Sequence, residues 1–348
     1  MKFYPTKQAY DGRDDVNMGI SRFTEGNHVL THAFVREFFQ NALDAVLENQ
    51  EKVIVKIRLV TLTDQSDKDY LRETYKDIIP LLKQTSTDPI ENNKYLVMEE
   101  FNTKGLTGTP AFHPDESELE EAHWSNFSFG MMRQSKAGDK GGRTGIGKIM
   151  LNLLSGLRLV IYRTKRSTDD EDWLGGRVEF NRSAVFGNSS EKTRYSNWGW
   201  LTGYQGEDIK ELRDLEKEKI YRPIKDKEIL DEVDRIFGLE RSKDGYGTSW
   251  IIPSPLEQDK KNDRVTELED IEAIINHTVD DFSWAFMSGF LEVDFDGLVV
   301  HANNIIDILD ERIPDKKDLW GFLDEIRTCP TNNLLDVDKS WQDSSSKK

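Results

Sequence analysis

A helix predicted over residues 30–49 carries an acid, an amide and further acids on one stripe. At about 100° per residue, Glu37, Asn41, Asp44 and Glu48 fall within a narrow arc, and apolar side chains cover the other side. No lysine or arginine follows Glu37 within this helix, so the acids have no basic partner nearby in the sequence. Such hard oxygen ligands suit a magnesium ion with a general base close by. An acidic, solvated helix face would give the same pattern, and the stripe alone does not decide between them.

A second motif combines glycines with a lysine at the start of a predicted helix. Gly142, Gly145 and Gly147 surround Ile146 and are followed directly by Lys148. Glycines let backbone amides approach an anion closely, and a helix N-terminus adds partial positive charge, so phosphate is the natural ligand. Residues 142–148 also match the P-loop pattern G-x-x-x-x-G-K. However, isoleucine occupies the position where a P-loop needs Ser or Thr, and no buried strand is predicted before the glycines. A glycine-rich hinge before a core helix is the remaining alternative.

Two further segments end or begin predicted strands. The strand at residues 95–98 leads into Glu99 and Glu100, either of which could accept a hydrogen bond from the exocyclic amine of a base. Gly105 could supply a tight turn beneath a flat base. Thr248 starts another strand after a glycine, and its hydroxyl could support the same carboxylate. A charged loop and a common glycine turn are the simpler interpretations of these two segments.

In this order, the four motifs resemble those of the GHKL ATPases, the superfamily of gyrase, heat-shock chaperones, histidine kinases and mismatch-repair MutL. Residues 37–45 match the N-box, 100–105 the D-x-G-x-G box, 142–147 the G-x-x-G-x-G box, and 247–248 the Gly-Thr motif. The resemblance covers residues 30–252. It implies the Bergerat fold, an α/β two-layer sandwich whose mixed sheet is covered by helices on one face and binds ATP beneath a lid.

The resemblance also implies a role for each matched residue. Glu37 would polarise the attacking water, and Asn41 would hold magnesium against the phosphates of ATP. Asp44 and Ala45 would line the pocket. The other residues expected at the nucleotide are Glu100, Asn102, Gly105 and Leu106 in the adenine box, Thr248 beside it, and Gly142, Gly145, Ile146, Gly147 and Lys148 in the lid and phosphate cradle.

The adenine box departs from the family pattern at three points. Glu100 replaces the usual aspartate, Asn102 replaces the first glycine, and one additional residue precedes Gly105. Glutamate is one methylene longer, so the purine must shift or the loop must retract. Asparagine tolerates the left-handed conformation that glycine would use, so Asn102 is a compatible replacement.

The sequence predicts one main domain with additions. Periodicity also predicts a helix over residues 266–289 and a strand pair that turns at Asp296 and Gly297. The predicted units are an ATP-binding domain at 1–255 with an insertion at 64–93 and a lid at 124–147, a small C-terminal α/β extension at 265–335 that could begin a transducer-like domain, and a flexible tail at 336–348.

Composition limits the function classes. With 348 residues and a hydrophobic content of 36%, the chain can bury substantial cores. A net charge of −17 argues against a surface built to coat nucleic acid. No apolar run is long enough for a membrane helix and the N-terminus lacks a signal-peptide core, which together predict a cytoplasmic protein. The single cysteine, Cys329, rules out an intramolecular disulfide.

These observations predict magnesium-dependent binding and slow hydrolysis of ATP as a conformational switch. The expected partners are ATP, and a second copy of the chain or another protein whose contact depends on nucleotide. Bacterial DNA maintenance and phage defence are the expected settings. A histidine kinase is disfavoured because only about thirty residues precede the first helix. Two alternatives are a scaffold that holds ATP without turnover and a chaperone, which would need a large exposed apolar surface.

Overall fold

The computed structural model describes residues 1–7, 30–79, 82, 93–110, 121–129, 147–180, 185–186, 193–203, 222–241, 245–259 and 264–328. The strands are β1 (Phe3–Lys7), β2 (Val53–Thr61), β3 (Lys94–Phe101), β4 (Leu159–Lys165), β5 (Asp172–Glu179), β6 (Val185–Phe186), β7 (Thr193–Leu201), β8 (Gly247–Pro253), β9 (Leu256–Asp259), β10 (Arg264–Glu267), β11 (Leu291–Phe295) and β12 (Leu298–Val300). The helices are α1 (Leu30–Asp44), α2 (Gln65–Tyr75), α3 (His123–Ser128), α4 (Gly147–Leu153), α5 (Lys227–Phe237), α6 (Glu272–Asp281), α7 (Ser283–Met287), α8 (Ile305–Arg312) and α9 (Lys317–Thr328).

Within the described part of the chain, ten strands form one mixed sheet. Its order is β1-β7-β5-β4-β8-β3-β2-β11-β12, and β6 pairs with β7 outside this path. β11 runs parallel to β2, whereas the other paired neighbours are antiparallel. β9 and β10 form a separate antiparallel pair. Because β11 joins the main sheet, the segment predicted as a C-terminal extension contributes strands to the same sheet as β3 and β8, which carry two of the predicted motifs.

Alternation along the central strands directs side chains to two cores. On β3, Leu96 and Met98 pack in the core that contains α1, and Tyr95 and Val97 pack in the opposite core. The first core also holds side chains of α4, α6 and α8, while α2 and α5 supply apolar residues to the second. The predicted α/β sandwich with a mixed sheet is confirmed, with the addition that helices cover both faces of the sheet.

Helix α1 packs on the sheet through residues spaced three and four apart. Its buried side chains are Thr31, Phe34, Val35, Phe38, Phe39 and Ala42. The helix ends at Asp44 rather than near residue 49. Beyond it, the amide of Leu47 donates to the carbonyl oxygen of Asn102 at 2.9 Å, so a tertiary contact replaces the next helical turn. The predicted end of this helix was therefore five residues too late.

The prediction of one helix over residues 266–289 is wrong at its start, which is a strand, and in its middle, where the helix is interrupted. β10 occupies residues 264–267 because it pairs with β9, and two helices follow, α6 and α7. They are interrupted at Phe282, whose ring lies 5.3 Å from that of Phe39 on α1. The predicted strand pair is present as β11 and β12, and positive φ angles of 53° at Asp296 and 98° at Gly297 make the turn.

Among the helices that the structure describes, none combines the length and the apolar character required to cross a bilayer.

Candidate functional site

The alternation of β3 separates the two acids at its end. Glu99 points into the core that contains α5, where it accepts hydrogen bonds from Arg58 Nη2 and Ser249 Oγ, both at 2.9 Å. Glu100 is directed to the face covered by α1, because it continues the register of Leu96 and Met98. Of the two acids considered from the sequence, Glu100 is therefore the one on the face of the predicted site.

Glu100 is a buried carboxyl that hydrogen-bonds to two threonine hydroxyls. Thr103 Oγ1 donates to Glu100 Oε1 at 3.2 Å, and the side chain of Thr248 also hydrogen-bonds to this carboxyl. Burial raises the pKa of Glu100 to about 7, against the opposing field of Arg241 and these hydrogen bonds. Ionisable groups with shifted pKa values cluster at functional sites. Thr103 lies inside the recognised box, whereas no motif pointed to Arg241.

The loop after β3 adopts the tight conformation that the sequence predicted. Asn102 has φ of 64° and Gly105 has φ of 69°, both in the left-handed region. A Cβ atom on Gly105 would lie 2.6 Å from the carbonyl oxygen of Lys165, so a side chain is excluded there. The next amide, that of Leu106, donates to Thr164 Oγ1 at 2.9 Å. The loop is thus fixed directly on β4.

Two backbone hydrogen bonds attach the end of α1 to the same loop. The amide of Lys104 donates to the carbonyl oxygen of Ala45 at 2.8 Å, and the amide of Leu47 donates to the carbonyl oxygen of Asn102 at 2.9 Å. Val46 and Thr103 also form an isolated β-bridge. The helix with the acidic stripe and the loop with Glu100 are therefore neighbours, although more than fifty residues separate the bonded pairs in sequence.

Thr248 completes the arrangement from β8. It is fully buried, and its Oγ1 lies 3.2 Å from Thr164 Oγ1, which also donates to the carbonyl oxygen of Gly247 at 3.0 Å. Gly247 has φ of 144°, and a Cβ atom there would approach the carbonyl oxygen of Glu100 to 2.1 Å. Only glycine fits at this crossing. Thr164 was missed from the sequence because nothing local marks a threonine in β4 as a link between two motifs.

The acidic stripe of α1 remains partly open to solvent. Asn41 and Asp44 are exposed and Glu37 is half-buried. Asn41 Nδ2 donates to Glu37 Oε1 at 3.1 Å, so the amide nitrogen faces the acid and its oxygen is left for a cation. One amide oxygen beside a carboxylate fits magnesium, which usually keeps waters and takes substrate phosphates as its other ligands. The donor set on α1 is therefore compatible with the predicted metal.

The glycine-rich motif is described only at its end. Gly142, Gly145 and Ile146 lie outside the described residues, and for Gly147 and Lys148 only the backbone is described, as the first turn of α4. The helix itself packs against α1 and buries Met150, Leu151 and Leu153. The segment predicted as a lid begins in a helix and not in a loop. Residues 123–128 form α3, whose apolar side chains are buried.

A cavity of about 850 Å³ borders this region. Leu47 and Lys104, from the two segments joined at the end of α1, line it together with Arg166 and Trp173. The guanidinium of Arg166 lies 3.5 Å from the centre of the Trp173 ring and donates to the carbonyl oxygen of Gly108 at 2.8 Å. None of the predicted site residues that the structure describes lines this cavity. The cavity therefore adjoins the predicted nucleotide site and does not coincide with it.

No protein-family model and no curated protein matches this sequence. Among solved structures, the chain is similar to the ATPase and transducer domains of DNA topoisomerase II from Balamuthia mandrillaris, at 13% identity and a TM-score of 0.35 over 80% of this chain and 50% of that one. It is also similar to the ATPase region of Saccharomyces cerevisiae topoisomerase II bound to ICRF-187 (dexrazoxane), at 11% identity and a TM-score of 0.24 over 72% and 53%.

The chain spans about half the length of these two solved structures. The sheet order and the two cores define the α/β architecture of the described residues.

Proposed function

We propose that this chain binds ATP with magnesium between α1, the loop after β3 and the start of β8, and hydrolyses it slowly. One observation carries the proposal: a continuous set of contacts joins three motifs that are far apart in sequence. It runs from Ala45 to Lys104 through the backbone, from Thr103 to the Glu100 carboxyl, and from that carboxyl to Thr248. An acidic surface helix would not require any of these contacts.

The open stripe of α1 suits the phosphate end of the nucleotide. Glu37 is accessible to water and is oriented by Asn41, so it can accept a proton from an attacking water. Magnesium, when bound, would neutralise phosphate charge, and the amide oxygen of Asn41 would be its protein ligand. The glycine-rich motif that precedes α4 is assigned the phosphate cradle by the sequence resemblance alone.

The buried end of the site suits the base. Glu100 lies at the end of β3 with its carboxyl held by two threonine hydroxyls, and Leu106 is buried in the adjoining loop. A flat base could pack on such a loop and present its polar edge to the carboxyl. The sequence resemblance supports adenine as that base, and bacterial DNA maintenance or phage defence as the setting.

Hydrolysis tests the role of Glu37 directly. We expect Glu37→Gln to retain ATP binding and to lose turnover by about 100-fold or more, because a positioned base typically contributes 10²- to 10⁴-fold. The measurement is steady-state phosphate release beside binding of a non-hydrolysable ATP analogue.

Glu48→Gln is the matched control, since Glu48 is an exposed acid beyond the end of α1. It should hydrolyse ATP like the wild type. Equal turnover by Glu37→Gln and the wild type would show that Glu37 is not the base. A wild type that binds ATP and never hydrolyses it would instead favour the scaffold alternative.

A further inference from the structure

Large apolar side chains are exposed in the C-terminal segment. In the part of the chain that the structure describes, five such side chains lie open to solvent, all between residues 284 and 322: Trp284 (47% exposed), Phe290 (57%), Val299 (39%), Leu319 (47%) and Phe322 (57%). Single exposed apolar side chains are ordinary on a protein surface, but a group of them with polar surroundings is typical of a protein–protein contact. This group therefore marks a candidate interaction surface.

Helix α9 packs on the molecule through one side of a broad apolar face. Trp320 is buried in the core, and α9 contacts both α7 and α8. Leu319 and Phe322 lie beside Trp320 on the helix, and Ile326 continues their stripe at helical spacing. Because α9 contacts α7, which carries Trp284, we define the α7–α9 surface as these exposed or half-buried side chains: Trp284, Leu319, Phe322 and Ile326.

The same part of the chain is strongly acidic. Residues 280–328 contain twelve Asp and Glu against four Lys and Arg, a formal charge of −8 within the total of −17. On α9, the exposed acids Asp318 and Glu325 lie four residues before and three residues after Phe322, so both are its neighbours on the helix surface. The four bases already form ion pairs with acids: Arg312 with Glu272, Lys316 with Asp280, Lys317 with Asp310, and Arg327 with Asp324. Negative charge therefore borders the apolar stripe.

We propose that the α7–α9 surface binds a basic amphipathic helix of another protein. The apolar stripe of that helix packs against Leu319 and Phe322, and its lysines or arginines face Asp318 and Glu325. The exposed apolar side chains of α9 repeat at helical spacing, which fits an apolar stripe of the same period. Opposite charges at the rim speed encounter and select against acidic partners. The inference does not depend on nucleotide binding.

The charge of this surface argues against three other occupants. In a two-fold dimer the surface would meet its own copy, so two acid-rich faces would come together at a cost in free energy. Nucleic acid and anionic lipid both present negative charge, which the acids of residues 280–328 repel. A basic amphipathic helix gains from the apolar stripe and from the acids at once.

The test uses three labelled peptides of about 18 residues, or about five helical turns, and the full chain. The first peptide has a leucine stripe and a lysine face, the second replaces the lysines by glutamates, and the third keeps the lysines but replaces the leucines by serines. Fluorescence anisotropy measures their binding. We expect the leucine–lysine peptide to bind at least about tenfold more tightly than the other two, because both apolar contact and charge contribute.

Variants of exposed residues on α9 locate the binding surface. Leu319→Ser combined with Phe322→Ser should weaken the leucine–lysine peptide by about tenfold or more, since it removes the apolar anchors and leaves Trp320 in the core. Asp318→Asn combined with Glu325→Gln should weaken it by about threefold and make its affinity less sensitive to salt.

Asp69→Asn combined with Glu73→Gln is the matched control, because it removes two exposed acids from α2, which packs on the other face of the sheet. It should bind the peptide like the wild type. A loss in this control equal to that of the α9 acid variant, or equal binding of all three peptides, would overturn the proposal in favour of non-specific attraction to an acidic protein. Wild-type affinity in the α9 serine variant would also overturn it.

Sedimentation equilibrium of the protein without peptide decides between a partner and a second copy. We expect no self-association that depends on the α7–α9 surface. Absence of binding by every peptide would overturn the proposal, and self-association that Leu319→Ser with Phe322→Ser abolishes would then assign the surface to a second copy of the chain.

Discussion

At the scale of single residues, the proposed nucleotide site combines one buried carboxyl with one open stripe on α1. Glu100 is only 7% exposed, while Glu37 is half-buried and Asn41 is exposed on α1. A buried group for the base and open groups for the phosphates match the different polarity of the two ends of a nucleotide. The sequence was sufficient to select Glu37, Asn41 and Glu100 as candidate site residues. It was also sufficient to predict the left-handed backbone of Asn102.

The titration of Glu100 predicts how stability changes with pH. Its folded-state pKa of about 7 lies above the usual 4.5, so the folded state retains a proton that the unfolded state has released in this range. The free energy of unfolding should therefore fall as pH rises from 4.5 to 7, by about 3 kcal/mol relative to Glu100→Gln, because one pKa unit corresponds to about 1.4 kcal/mol.

Urea unfolding of both proteins at several pH values between 4 and 8 checks this prediction. The wild type should lose stability relative to Glu100→Gln through that range, and the difference should become constant above pH 8. Parallel stability curves from pH 4 to 8 would contradict the burial of an ionisable carboxyl at this position.

At the scale of helices and strands, the parts that could be predicted are those with local causes. The alternation of β2 and β3 and the apolar face of α1 follow from side-chain period. The parts that could not be predicted depend on distant partners. α1 ends early because Leu47 contacts Asn102, and residues 264–267 form a strand because β9 lies beside them. Local periodicity contains no information about such partners.

The same limitation explains why two residues of the site were missed. Thr164 joins Leu106 to Gly247 across separations of 58 and 83 residues, and Arg241 reaches Glu100 across 141. Neither residue has a characteristic sequence neighbourhood. Gly247 shows the opposite case, because a Gly-Thr pair was recognisable and the structure gives it a steric reason, the 2.1 Å approach of a Cβ atom to the Glu100 carbonyl.

At the scale of the whole molecule, one sheet connects the parts that a nucleotide switch would use. β11 pairs with β2, and α6 packs on α1, so the C-terminal segment contacts the helix with the acidic stripe. A change at that helix on nucleotide binding could therefore reach the C-terminal segment. We propose that ATP binding favours association with a second copy of the chain or another partner.

Size-exclusion chromatography with and without a non-hydrolysable ATP analogue measures this association. We expect the wild type to elute earlier in the presence of the analogue and magnesium. An unchanged profile in the presence of saturating analogue would show that the nucleotide does not cause self-association. Such a result would not contradict nucleotide binding itself.

If α1 supplies a magnesium ligand to a nucleotide whose base lies at Glu100, the affinity for ATP must depend on both Asn41 and magnesium. The most direct measurement is calorimetric affinity for a non-hydrolysable ATP analogue, with and without magnesium, in the wild type, Asn41→Ala and the control Asn49→Ala. Asn49 is an exposed amide that lines the adjoining cavity. We expect Asn41→Ala to lose at least about tenfold in affinity, or about 1.4 kcal/mol, only when magnesium is present, and Asn49→Ala to bind like the wild type. Wild-type affinity in Asn41→Ala, with the loss in Asn49→Ala instead, would contradict the claim and place the nucleotide in the cavity.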